Sequence, residues 1–374
     1  MHQKTIMQTG CAGSVGRSAL DFLARTPGIE RIVAADVDEV RGVCAVSATT
    51  AGASHLGAFP KIEFLKLDLT DEQRTAEVLK KIEPDVILHT GSLYTSSTYY
   101  TPLHQIMKRL GVQFARPAHT IAKDIFLIYK LMKAVKSTGI DTHVLNVSFP
   151  DNTIPALAKI GLAPTSGMGN ASLILDAVRN VVAHKLSVPL RNVSVTMIAH
   201  HAFCMNPPGT VPYYARIRLL EEDITDKFDV DELVGEAQRQ IYGPGWSVID
   251  IVNAHTAAQG ARIAAAIAND TGEVIYAPGI NGTPGTLPAR FNADGAKIVM
   301  PAGFSREKAQ ELFERGLEID GIERYEKDGT IVFTEPTVQI MEEGLGLKGW
   351  RTLALPDAQK MAKELIATYQ KLLQ

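Results

Sequence analysis

Gly10-Cys11-Ala12-Gly13-Ser14-Val15-Gly16 lies between the apolar run Thr5-Ile6-Met7 and the helix-prone stretch Arg17 to Leu23. Asp36 follows at the end of a second apolar run, Ile32-Val33-Ala34-Ala35. A strand, a turn free of bulky side chains, a helix N-terminus and an acid at the next strand's tip form a dinucleotide site. The turn's N–H groups and the helix dipole hold the pyrophosphate, and the carboxylate accepts from a ribose hydroxyl. That carboxylate also repels a 2′-phosphate, so NAD is expected over NADP. Gly10, Gly13, Ser14, Val15, Gly16 and Asp36 are the expected cofactor contacts, joined by Thr90 and Gly91 at the end of a later strand. The spacing is G-x-x-G-x-x-G, and glycines also punctuate plain strand-to-helix turns. Strand, helix and acid together carry the assignment.

With 374 residues, 45% of them hydrophobic, the chain can bury a large core and divides by length into roughly two domains. A net charge of −3 gives no electrostatic footprint for nucleic acid or an anionic membrane, so a small-molecule partner is expected. Cys11, Cys44 and Cys204 are odd in number and far apart, which indicates neither a disulfide framework nor a structural zinc site. Without a signal-like or membrane-spanning apolar stretch, the expectation is a soluble cytoplasmic protein.

Up to residue 150, strand candidates at 4–9, 31–36, 62–67, 85–90 and 142–148 alternate with helical stretches at 13–25, 71–82 and 120–137. This is the pattern of a Rossmann-type parallel sheet. Gly91 to Thr120, rich in Ser, Thr and Tyr, interrupts it with a long connection of the kind from which active-site lids grow. Phe149-Pro150-Asp151-Asn152 marks the expected boundary between an NAD-binding domain (1–150) and an α+β catalytic domain (151–374). In the second part, helices are expected at 171–186, 231–240, 254–268, 305–316 and 357–372. Strands are expected at 193–201, 297–300 and 330–333, with a loop at 279–288.

In Val193 to His201, strand alternation sets His200 and His201 on opposite faces. Asp176 and Arg179, three apart on a helix, point the same way. They read either as a surface ion pair or as two working groups. In the second case the carboxylate orients a histidine and the guanidinium grips a substrate carboxylate.

These motifs resemble the lactate/malate dehydrogenase superfamily over most of the chain. GCAGSVG with Asp36 is similar to the malate members' glycine turn and acid. Asn146 in LNVSFPD stands where the family has an Asn-Pro segment, and Leu175-Asp176-Ala177-Val178-Arg179 reproduces its Leu-Asp-x-x-Arg. Ala199-His200-His201-Ala202 occupies the catalytic histidine's place, Thr256 that of the substrate-pocket threonine, and Arg116 that of the first mobile-loop arginine. The resemblance implies an NAD-dependent 2-hydroxyacid dehydrogenase, a homodimer or homotetramer, working without metal. In it His201 is the acid/base, Asp176 its partner, and Arg179 and Arg116 hold the substrate. Asn146 and Thr256 bond the substrate or the nicotinamide ribose. The chain departs from the family in the residues flanking His201, in its expanded 91–120 loop, and in a tail beyond about residue 335.

Two rivals share the glycine turn. A short-chain dehydrogenase would use Leu67-Asp68-Leu69, with Asp68 as a nucleotide contact, and Tyr129-x-x-x-Lys133. Those letters precede the fifth strand, however, on a helix whose Ile125, Ile128, Met132 and Val135 form a core stripe. An NAD- and metal-dependent glycosidase would draw on His201, Cys204 and Asn206 and act on a sugar-derived substrate.

Overall fold

The computed structural model describes residues 4–95, 100–113, 116–242 and 249–373. Strands β1 (Thr5–Thr9), β2 (Arg31–Asp36), β3 (Lys61–Lys66), β4 (Val86–His89), β5 (His143–Asn146) and β6 (Ser166–Gly167) form one parallel sheet in the order 3-2-1-4-5-6. The order reverses between β1 and β4, and that switch point opens a crevice at their carboxyl ends. All five early strand candidates and their three helices are present, within a residue or two of the expected bounds. β6 lies beyond residue 150, so the sheet runs past the boundary expected there; Pro150–Ala158 is a helix inside its last connection.

Strand alternation divides the core in two. Met7, Val33, Ile87 and Val144 face one side of the sheet; Ile6, Ile32, Val86 and Leu145 face the other. Helices Ser14–Ala24 and Ile249–Ala268 cover the second side. On the first side lie Glu72–Ile82 and Ile121–Thr138. Asp71 caps the former through the Arg74 N–H at 2.9 Å, and Gly139 in the left-handed region ends the latter. Ile125 and Ile128 are fully buried there, as the stripe predicts. Lys133 instead stacks over Tyr129 and pairs with Glu72 at 2.9 Å.

The second half is built around helices Ala171–Lys185 and Val230–Tyr242 and three three-stranded sheets. The strand expected over 193–201 ends at Ile198. The loop expected over 279–288 yields at Thr286 to the strand Thr286–Asn292. Arg306–Asp320 is a longer helix than expected, capped by Ser305 and closed by Gly321 at φ +109°.

The expanded loop and the tail are partners. The loop's helix Tyr100–Leu110 packs against the turn Ile340–Gly344, where Arg109 reaches the Glu343 and Gly344 carbonyls. The tail's helix Ala358–Leu372 lies on Ile121–Thr138, and Tyr369 and His119 bond at 2.6 Å. Residues 96–99, part of the polar connection read as functional, lie outside the described residues.

The tightest constraint sits at the switch point. Gly10 has φ +80°, and a Cβ there would stand 2.6 Å from the Gly91 nitrogen, so the loops after β1 and β4 touch backbone to backbone. Gly10→Ala should therefore cost about 3 kcal/mol of folding free energy, read as a lower urea midpoint. An unchanged midpoint would mean that the two loops separate freely.

Candidate functional site

The glycine turn keeps its backbone open. A Cβ on Gly16 would lie 1.9 Å from the Gly10 oxygen, whereas one on Gly13 would meet nothing closer than 3.5 Å. No side chain caps the helix that begins at Ser14, which leaves its first N–H groups to the crevice. Asp36 accepts from the Ala12 N–H at 2.8 Å and the Asp38 N–H at 3.0 Å, one on each oxygen, and keeps lone pairs for further donors. Arg41 donates to the Ala12 carbonyl at 2.8 Å, a cation at this end that sequence reading missed. Thr90 locks the turn through the Thr9 carbonyl at 2.8 Å, and Gly91 accepts from Ser148 Oγ. Asp68 lies apart: exposed beyond β3, it caps the Thr70 N–H and does not line the cleft.

From the turn a cleft of about 320 Å³ runs past Gly13, Ser14, Val15, Thr90 and Thr256 to His201. Because the strand stops at Ile198, the expected alternation no longer governs the two histidines. Both Nδ1 atoms approach one carboxylate oxygen, Asp320 Oδ2, His201 at 2.8 Å and His200 at 3.6 Å. Only the first is a charged partnership. His200 Nδ1 already accepts the Ala202 N–H, and burial pushes that imidazole down to about 4. Burial also lowers His201, but the charge and hydrogen bond of Asp320, with the charges of Asp151 and Asp124, outweigh it and leave its pKa raised.

Asp320 accepts, so Nδ1 of His201 carries the proton and Nε2 is the nitrogen left for the cleft. Asn152 Nδ2 donates to the same Asp320 oxygen at 2.8 Å. Gly316, one turn earlier, lets the helix come close, since a Cβ there would lie 2.3 Å from that of His200. Phe149 holds the His201 ring edge-on at 4.8 Å from a strained φ of +47°. Asp151 accepts from the His201 N–H and from Asn170, and burial raises it to about 6. Asp124, on the cleft wall, is raised by burial and answered by the buried Lys123 at 2.6 Å.

The geometry does not unite His201 with Asp176 and Arg179. The side chain of Asp176 is 44% exposed and meets His255 at 3.3 Å; Arg179 Nε donates to the Val193 carbonyl at 2.7 Å. Both line a separate groove, because their face of helix Ala171–Lys185 turns away from the cleft. Arg116 is likewise committed, donating to the Glu318 and Ile319 carbonyls at the end of the helix that carries Asp320. Asn146 is fully buried and spent on Ser148 and Thr153. Thr256 does line the cleft. Of the glycosidase ligands, Asn206 donates to the Ala202 carbonyl, and Cys204 bonds Tyr242. Among the described residues no three His, Cys, Asp or Glu side chains gather to hold a metal. Tyr129 and Lys133 do not line the cleft.

Sequence reading missed Asp320, Asp151 and Asp124. One signal was available: Asp320 closes a helix at the negative end of its dipole, among buried Leu317 and Ile319, where an acid is unfavourable without a partner.

The family model for the NAD dependent epimerase/dehydratase family matches residues 6–148, the part that carries the glycine turn. Among curated proteins no relative matches. In solved structures the chain is similar to the malate dehydrogenase of Cryptosporidium parvum: 15% identity, TM-score 0.62, 85% of this chain and 96% of that one. The lactate dehydrogenase of the same organism, solved with lactic acid and β-nicotinamide adenine dinucleotide, gives 15% identity and TM-score 0.60 over 86% of this chain and 98% of that one. Malate dehydrogenase of Picrophilus torridus gives 20% identity and TM-score 0.59 over 85% and 95%. The fold is that of the lactate and malate dehydrogenases. Among the described residues no helix is long and apolar enough to cross a membrane.

Asp320→Asn should move the ring titration of His201, followed by NMR, to lower pH. In the native protein the raised pKa makes protonated His201 stabilising below the unfolded value of about 6.5, a contribution lost as pH rises through the folded value. The substitution should flatten that dependence. Arg179→Leu should leave the titration where it is; a shift there as large as that from Asp320→Asn would contradict the assigned pairing.

Proposed function

We propose that the protein is an NAD-dependent oxidoreductase that interconverts a hydroxyl and a carbonyl group by hydride transfer, with His201 as acid/base and Asp320 as its partner. The observation that carries this reading is the 2.8 Å His201–Asp320 pair on the wall of the cleft into which the glycine turn opens.

The residues fit the dinucleotide. The uncapped helix start and the space above Gly13 suit a pyrophosphate, and Asp36 has lone pairs for a ribose hydroxyl. When bound, nicotinamide supplies the two-electron acceptor or donor. In oxidation neutral His201 takes the hydroxyl proton at Nε2; in reduction the imidazolium returns it. Asp320 fixes the tautomer and stabilises the cation, and Asp151 and Asp124 add to the negative field. Phe149 limits the ring's rotation, so Nε2 keeps one direction.

A 2-hydroxy acid as substrate is a second reading, favoured by the fold shared with lactate and malate dehydrogenases. The arginines expected to hold such an acid, Arg179 and Arg116, are engaged elsewhere.

His201→Asn should lower kcat by about 10³-fold while the NADH dissociation constant, from fluorescence titration, stays within about 2-fold, since hydrogen-bond partners of the turn are untouched. In the oxidative direction log kcat/KM should fall as pH drops through the raised His201 pKa, and Asp320→Asn should shift that limb to lower pH. Unchanged turnover in His201→Asn would overturn the reading.

A further inference from the structure

Resting on the oxidoreductase reading, we propose that the substrate is a neutral polyhydroxylated compound of the sugar or cyclitol class, oxidised at one secondary carbinol, and not a carboxylic acid. Among the described residues, neither lysine nor arginine lines the cleft. The stretches 96–101, 114–115 and 243–251, whose side chains are not described, contain no lysine or arginine in their sequence. The nearby cations are turned elsewhere: Arg116 is outside the cleft lining with its Nη1 on two helix carbonyls, and Lys123 pairs with Asp124.

Three carboxylates, Asp124, Asp151 and Asp320, stand instead around His201. A substrate carboxylate entering this field would find no protein cation free to hold it: in oxidation His201 is neutral, and in reduction its imidazolium is already answered at 2.8 Å by Asp320. An ionised group without a partner in a half-closed site is strongly disfavoured.

What the cleft offers suits hydroxyl groups. Ser92, Thr120 and Thr256 present hydroxyls, and Asn170, whose Nδ2 is held by Asp151, keeps Oδ1 as an acceptor. Thr120 donates to the Pro117 carbonyl at 2.9 Å and so faces a ligand as an acceptor. Phe149 and Met205 supply apolar surface for the C–H face of a ring. Because Asp124 is paired with Lys123, Asp320 with His201, and Asp151 accepts from Asn170 and the His201 N–H, the acids are already partnered and the wall does not call for a cationic substrate either. In the oxidation the carbinol C–H and O–H bonds break, the hydride goes to NAD, the proton to His201 Nε2, and a C=O bond forms.

The test is a steady-state panel with the purified protein and NAD in three arms: neutral aldoses, cyclitols and linear polyols; lactate, malate and longer 2-hydroxy acids; and cationic amino alcohols. The best neutral compound should exceed the best acid and the best amino alcohol in kcat/KM by at least about 100-fold, and its turnover should vanish in His201→Asn. An acid or amino alcohol that matches or beats the neutral arm overturns the proposal and leaves the oxidoreductase reading standing. So does an NADH-binding protein that oxidises nothing in the neutral arm. Failure to bind NADH, or turnover that survives His201→Asn, strikes the parent reading instead. A parallel measurement uses the NADH complex: malonate and oxamate should produce no saturable change in nicotinamide fluorescence, whereas neutral polyols should, and saturable quenching by the dicarboxylate would overturn the proposal.

Discussion

A carboxylate with no exposure must find its charge a home, and Asp320 finds it at one place only. Its Oδ2 gathers the Nδ1 of His201 and the amide of Asn152, which joins three distant parts of the chain: the end of helix Arg306–Asp320, the end of the strand Val193–Ile198, and the helix that follows β5. The helix dipole works against an acid at that position, so the bond to His201 is a structural necessity whatever chemistry the imidazole performs. Arg116 reinforces it from outside by holding the last carbonyls of the same helix.

The cleft is thus assembled from elements of opposite character. One wall is backbone: the glycine turn, with loops so close that no side chain separates β1 from β4. The other is a cluster of buried acids around the His201 imidazole. Their separation gives the site its sense, with an uncapped helix start at one end and negative charge concentrated around His201 at the other. Helix Ile249–Ala268 ties the two together, because Asn253 donates to Ser14 Oγ at 2.8 Å while Thr256 faces the cleft and packs against Gly169.

Local physics made much of this legible. Five of the six parallel strands follow from apolar runs alternating with helical stretches, while the two-residue β6 offers no such run, and the turn of Gly10, Gly16 and Asp36 is readable from the strand, helix and acid around it. His201 stood out because Ala199-His200-His201-Ala202 occupies the catalytic histidine's place in the dehydrogenase resemblance. Asp320 did not, since its partnership spans 119 residues of sequence and no local pattern announces it. Asp176 and Arg179 misled for the converse reason: three-residue spacing fixes that they point together but says nothing of which groove they face. The early stop of the strand at Ile198 undid the alternation on which the histidine argument relied. Asn146 satisfied the motif by letter while its amide was consumed by its own loop.

The helix Ala358–Leu372 packs on Ile121–Thr138 and anchors there through Tyr369 and His119, 250 residues apart. On a ribosome the first half of the sheet emerges long before its cover does. The apolar flank of Ile121–Thr138 therefore waits, wet and unprotected, until residues 358–372 have followed it out some 220 residues later, and a product lacking that helix would carry the greasy flank permanently.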